Sequence, residues 1–380
     1  MMSIRLPFGM LFASLLLLLG CYTLVAVASA SEPVGREQVW AGLPGVVAGD
    51  YVPGGAGQLL VVSRAGALHW LHEGSGRAAQ VHQWPVRGGG NLGVQALALH
   101  PDYPQDPRLF VLLNPDEPAL VTRLDAWRLR IDGTGQPRLE QRETLLSVPQ
   151  SERWNSGRGL RFGPEGYLYV GLGDGGYSAS AQRRAQDLSS LRGKILRLDV
   201  DRRLPGRAYG IPEDNPWLHR GDVRPEIWAL GVRQPGGFAF DEPGNLWLVD
   251  SYGERVEEVN RVRAGANLGW RCFQGASRRM DDASCRGVAQ VPPLFDYRLP
   301  GDQYAVGGVL YQGEALPHLR GQYLFGDFRA GQLWALTPRG EASALGRWDW
   351  HPSAVFARPD GEPMVADFVG GGLYRLTAEP

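Results

Sequence analysis

Lysine is nearly missing from this chain. Of 39 basic residues among 380, only Lys194 is a lysine, a bias that genome composition produces as readily as function does. The 40 acidic residues leave a formal net charge of −1, so there is no basic footprint for nucleic acid. Histidine is scarce too. There are 7, with none between His100 and His219, which removes the commonest neutral-pH proton acceptor from the middle of the chain. Helical periodicity is nearly absent; only "SAQRRAQDLSSL" could hold a turn or two. Beyond residue 30 no apolar run is long enough to span a bilayer as a helix.

The first thirty residues read as a leader rather than as fold. Arg5, a long apolar run and Ala28-Ser29-Ala30 fit a secretory signal cleaved so that the mature chain starts near Ser31. Leu18-Leu19-Gly20-Cys21 also fits, loosely at Leu19, the box at which bacterial lipoproteins are cleaved and lipidated, and an uncleaved N-terminal anchor is the third alternative. Residues 31–380 are therefore expected in the periplasm or outside the cell, with a membrane contact only through a lipid on Cys21. Of the 3 cysteines, Cys21 belongs to the leader, and Cys272 and Cys285 bracket "CFQGASRRMDDASC". In an oxidising compartment the pair reads as a disulfide, worth about 3 kcal/mol for so short a loop. Two separate buried thiols are the alternative; two thiols with no histidine nearby make a poor metal site.

What the chain has in quantity is one repeated phrase. "LHPDYPQDPRLFVLLN", "FGPEGYLYVGLGD", "FDEPGNLWLVDSYG" and "ARPDGEPMVADFVGGGLYRL" each join an apolar strand end to a Pro/Asp/Glu/Gly turn and then to large apolar residues. That is a hairpin signal. "GQLLVVSRAGALHWLH" and "GQYLFGDFRAGQLWALT" supply further strand pairs. β units of about 50 residues suggest a propeller of six or seven four-stranded blades. A β-sandwich would need two domains, and no Pro-, Gly- or Ser-rich linker divides the chain. The last strand, ending near Leu376, is expected to complete a blade begun near Val39. Rigid strands with long loops place a site on the loops; the longest irregular stretches are 177–190, 205–224 and 275–300.

These phrases, with "AQDLSSLRGKILRLDVD", "YGIPEDNP", "PEIWALGVRQPGGFAFD" and "EEVNRVRAGANLGWRCFQG", come in one order. Together they resemble the soluble quinoprotein sugar dehydrogenases, the glucose/sorbosone dehydrogenase-like proteins, over residues 39–376. The resemblance implies an all-β, six-bladed propeller with long loops on one face. It also implies an oxidoreductase that binds pyrroloquinoline quinone (PQQ) over Ca²⁺, oxidises the C1 hydroxyl of an aldose and passes electrons to an external acceptor.

Carried over residue by residue, the family's catalytic histidine falls on Asn155. Imidazole accepts a hydroxyl proton near neutral pH, whereas a carboxamide only donates and accepts hydrogen bonds. Asp174 in "GLGDGG" stands where the family has an acid beside that base; a turn aspartate capping backbone amides is the alternative. The resemblance assigns cofactor binding to Asn91, Arg233, Gln234 and Arg329. Guanidinium forks suit the PQQ carboxylates, although Arg329 also reads as an exposed loop residue. Calcium would sit on the backbone carbonyls of Tyr252 and Gly253, hard oxygen ligands for a hard ion. The family's late basic pair aligns with His351 and Ser353, and Tyr304 is a substitute for an aromatic that stacks on the quinone. The changed base leaves a second expectation open: a non-catalytic propeller that binds a sugar, glycan or protein through its loop face. A weaker third is hydrolysis with calcium and acids such as Asp174 and Asp250.

Overall fold

The structure is a computed structural model that describes residues 34–55, 57–133, 136–251, 256–298 and 304–378. The expected leader, with Cys21, lies outside these residues, as do Tyr252 and Gly253.

Six antiparallel four-stranded sheets form a closed ring. Their inner strands are Val46–Tyr51, Val94–Leu99, Gly159–Phe162, Pro235–Phe240, Ala305–Leu310 and Pro352–Ala357, each packed beside the next around the axis. The expected closure is present: Val34–Trp40 pairs with Leu373–Ala378, Val34 opposite Ala378, so the first strand completes the last blade. Pairing the chain's two ends removes the open seam of the ring.

Each blade is covered on both faces by its neighbours, and this explains the near-continuous apolar strands. Leu109–Leu113 and Leu168–Leu172 are buried at every position, whereas an outermost strand such as Arg77–Gln83 has no buried residue at all. The core is correspondingly six wedges rather than one centre. Leu112 and Phe110 meet Leu168 and Val170 between the second and third blades, and Phe356 and Met364 meet Leu59 and Val61 where the last blade meets the first. Near the axis the blades approach too closely for side chains. A Cβ on Gly237, at φ +61°, would lie 1.7 Å from Gly307 Cα.

The inner strands enclose an axial cavity of about 210 Å³, with Gln95, Arg158 and Ser353 where the strands begin and Asp50 and Arg161 where they end. The first end is called the cup. Because strands alternate in direction, the segments before inner strands and after second strands open onto it. The 177–190 stretch does so, and its short helix, Ala179–Arg183, is capped by the Ser178 side chain, which accepts from Ala181 N. The 205–224 stretch follows the third strand of its blade, Lys194–Leu198, and leaves from the opposite end. A strap at 265–270 runs alongside the third blade's outer strand, bridging Leu230 to Asn267 in parallel, and delivers Trp270 to the cup. Cys272 and Cys285 form the expected disulfide, Cα–Cα 5.4 Å, directly after the strap.

Candidate functional site

Asn155 precedes the third inner strand in a left-handed turn, φ +52°, a conformation that asparagine tolerates better than most residues. The turn nests on bare backbone: a Cβ on Gly173 would lie 2.2 Å from Asn155 O. Asn155 Nδ2 donates to Asp174 Oδ1 at 3.0 Å and to Gly176 O at 3.4 Å. Trp270 Nε1 donates to Asp174 Oδ2 at 2.8 Å, and Gly176 N to Oδ1 at 3.2 Å. Asp174 is thus fully buried with both oxygens engaged. Burial pushes its carboxyl up to about 6, against the pull of Arg233 and of the hydrogen bonds from Asn155 and Trp270.

Arg233 is buried beside this pair, its guanidinium 5.1 Å from the Trp270 ring and 5.2 Å from Tyr177. Asp250 holds the turn beneath it, accepting Arg233 N at 2.8 Å and Gln234 N at 2.7 Å. Burial pushes the Asp250 carboxyl up to about 7. Its commitment to two backbone amides makes it a brace, which disfavours the hydrolytic reading. Gln234 Oε1 accepts Gly157 N at 3.2 Å.

Two further arginines complete the cup, and sequence reasoning missed both. Arg158, three residues after Asn155, donates to Ala305 O at 3.0 Å and stacks over Tyr304 at 4.5 Å. Arg64 lies against Phe368 at 5.2 Å. Burial, with Arg158 as a like-charged neighbour, lowers its pKa. Nothing in "SRAG" marks Arg64 in sequence. Arg158 carried a signal, since it stands in the same "WNSGRGL" as the base position. Arg329 lies on the same face but is exposed, its backbone N bonded to Asp327. His351 leans its ring on Phe328 at 5.3 Å, and Ser353 spends its hydroxyl on Val46 O at 2.6 Å.

The cup is rich in buried polar atoms without a hydrogen-bond partner among the described residues. Arg64 Nε, Arg158 Nε, Gln234 Nε2, Ser251 Oγ and the Tyr304 hydroxyl all fall there, with Asn91 Oδ1 as an acceptor. Buried polar groups are normally satisfied, so their concentration on one face marks a ligand site. A set dominated by donors, two of them guanidinium nitrogens, fits a polycarboxylate such as PQQ. For calcium the family's positions lie outside the described residues. The flanking Glu257 accepts Ala305 N at 2.8 Å, and Glu258 accepts an amide of the disulfide hairpin. The metal-type grouping found among the described residues, His100 with Asp106 and Asp201, lies at the opposite end. There the Arg108 guanidinium already binds both carboxylates.

A closed ring of six blades around a cationic cup defines a propeller of the sugar-dehydrogenase type. A PQQ-bound aldose sugar dehydrogenase from Streptomyces coelicolor shares the fold, with a TM-score of 0.73 at 20% identity over 92% of this chain and 100% of that one. The chain belongs to the glucose/sorbosone dehydrogenase family, whose sequence profile matches residues 50–361. Among curated relatives it is similar to the HIPL1 protein of Arabidopsis thaliana, 34% identical over 46% of this chain and 29% of that protein. It is 28% identical to the Hedgehog-interacting protein of Homo sapiens over 64% of this chain and 34% of that protein. The aligned region thus spans about a third of these two relatives. With the aldose sugar dehydrogenase YliI of Escherichia coli K12 it shares 26% identity over 77% of this chain and 68% of that protein.

Proposed function

We propose that the chain is an exported, PQQ-binding aldose dehydrogenase homologue that retains the ligand cup and lacks the general base. The observation that supports this best is the ring of buried, partnerless donors around Arg64, Arg158, Gln234 and Tyr304. When bound, PQQ supplies a two-electron acceptor for the sugar C1–H bond, and an external acceptor then takes the electrons. The chain's own contribution is electrostatic and positional. Arg158, Arg64 and Arg233 bind carboxylates, Tyr304 offers a ring face and a hydroxyl, and Asn91 and Gln234 orient polar edges. Asn155 can hold the C1 hydroxyl by a hydrogen bond but cannot take its proton. The expected consequence is binding with slow oxidation, since a general base contributes roughly 10²–10⁴-fold. Ca²⁺ on Tyr252 and Gly253 belongs to the same proposal.

The test is calorimetric titration of the purified protein with PQQ, with and without Ca²⁺. Tight binding that requires Ca²⁺ and weakens at least tenfold in Arg158→Ala supports the reading; absence of PQQ binding refutes it. In that event the second reading stands, a non-catalytic propeller that binds a sugar, glycan or protein. The observation that favours it is the fastening of the Asn155 amide to Asp174 and Gly176, which leaves no titrating group at the base position.

A further inference from the structure

The cup rim carries two aromatic rings that stay about half exposed, although Tyr177 also packs against the Arg233 guanidinium at 5.2 Å. Trp154 is 41% exposed and Tyr177 46% exposed, and their rings meet edge-on with centroids 5.7 Å apart at 66°. Large aromatics left half in water cost free energy unless something covers them.

These rings are held in place beforehand. Gln150 Nε2 donates to Trp154 O at 2.7 Å, and the Glu152 carboxylate accepts Tyr177 N at 2.8 Å and Ser178 N at 3.1 Å. Ser151 Oγ donates to Gly175 O at 3.1 Å and accepts from Arg184 at 2.9 Å. Two loops from the third blade are therefore stitched together before any ligand arrives, which lowers the ordering cost of binding.

We propose that Trp154 and Tyr177 form a carbohydrate subsite for the second pyranose of an oligosaccharide whose reducing end enters the cup. This rests on the cup being the sugar site. A pyranose presents a C–H face that covers an aromatic ring and a hydroxyl rim that needs hydrogen bonds. The corner between the two rings offers the first, and the loop that carries Tyr177 offers the second, with Ser178 and Ser180 hydroxyls 3.2 Å apart and Gln182 Nε2 donating to Tyr177 O at 3.0 Å. Trp154 is the chain neighbour of Asn155, and Tyr177 lies 5.2 Å from the Arg233 guanidinium, which ties both rings to the cup. A protein partner would need a wider apolar patch. Among the described residues the other exposed large hydrophobics toward this face, Val291 before the fourth blade's outer strand and Val369 in the sixth blade, are carried by other blades.

The experiment titrates the full chain with glucose, N-acetylglucosamine and xylose and with maltotriose, cellotriose, chitotriose and xylotriose, and repeats the best of these with Trp154→Ala, Trp154→Phe and Tyr177→Ala. Covering roughly 60 Å² of apolar surface corresponds to about a tenfold change in Kd. At least one trisaccharide is expected to bind about tenfold tighter than its monosaccharide. Trp154→Ala should abolish that difference while leaving the monosaccharide Kd and the melting temperature unchanged, and Trp154→Phe should restore most of it. Trisaccharides that bind no tighter than monosaccharides, or an advantage that survives Trp154→Ala, overturn the subsite. The PQQ titration separates the two readings. A Trp154-dependent preference for trisaccharides without PQQ binding keeps the subsite and removes the quinone. PQQ binding that is equal in Trp154→Ala, with no such preference, keeps the quinone and removes the subsite.

Discussion

Asn155→His is expected to convert a slow or silent protein into a working sugar dehydrogenase. The backbone allows it, because histidine shares asparagine's tolerance for the left-handed region that φ +52° occupies. The side-chain geometry favours it as well. Asn155 Nδ2 lies 3.0 Å from Asp174 Oδ1, and the δ positions of the two side chains coincide. Imidazole Nδ1–H would inherit the bond to Asp174, fixing the tautomer and leaving Nε2 free to face the cup. A positioned base is worth roughly 10²–10⁴-fold, or about 3–5 kcal/mol of barrier. The assay is dye reduction with glucose, PQQ and Ca²⁺, paired with PQQ titration of each variant. A gain of at least a hundredfold at unchanged PQQ affinity is expected. A mutant that binds PQQ and gains nothing refutes the reasoning. So does a wild-type protein that already turns over quickly, and loss of that activity in His351→Ala would then place the base on the histidine beside Phe328.

Two further outcomes follow from the buried acids. Asp174 at about 6 and Asp250 at about 7 are protonated at pH 5 and ionised at pH 8. Ionisation sets negative charge beside Arg233, at about 2 kcal/mol per ligand charge for roughly 8 Å and an effective dielectric of 20. PQQ affinity should therefore fall at least tenfold from pH 5 to pH 8, and a flat Kd over that range contradicts the assignment. Both folded-state values lie above those of the unfolded chain. The stability these groups contribute is therefore present in acid and is lost as pH rises from about 4 to about 7. Trp270→Phe removes one donor from a buried carboxylate. It should cost about 1.5–3 kcal/mol in urea unfolding at pH 8 and less at pH 5, where Asp174 is neutral; equal costs at both pH values would show that the bond to the charged form is not what stabilises.

The ring was legible because its signals are local. Turn residues followed by apolar strands recur with each hairpin, and burial of both blade faces keeps "LFVLL" and "LYVGL" apolar throughout. The pairing of Val34–Trp40 with Leu373–Ala378 matches the expectation that the last strand completes the blade begun near Val39. The site was legible only in part. Asn155, Asp174, Arg233 and Gln234 sit next to strand ends within distinctive phrases, and they converge. Arg64 and Arg158 were hidden, because a guanidinium at a strand end reads as a solvated surface residue until the ring brings six strand ends to one axis. Trp270 was hidden for a related reason. Its role depends on a strap from one blade lying along the outer strand of another, and no periodicity in the sequence encodes that contact.

On the proposed reading, this separation of scaffold and chemistry would let a base be exchanged without disturbing the cup. The residue at 155 has to satisfy a left-handed backbone, cover Gly173 and donate to a buried Asp174 that would otherwise lose a hydrogen bond. Asparagine meets all three demands and so does histidine. Alanine meets none of the electrostatic ones and would leave Asp174 Oδ1 with Gly176 N as its remaining donor. A side chain at this position is thus required by the Asp174 carboxylate to donate a hydrogen bond. A residue that preserves the donor preserves the fold, the cationic grip and the aromatic rim, and loses only the capacity to take a proton. The same logic limits what Asn155→His can do. It can supply proton transfer only if Arg158, Arg64 and Tyr304 still grip the oxidant, so a gain of turnover is expected only in a protein whose PQQ affinity is retained.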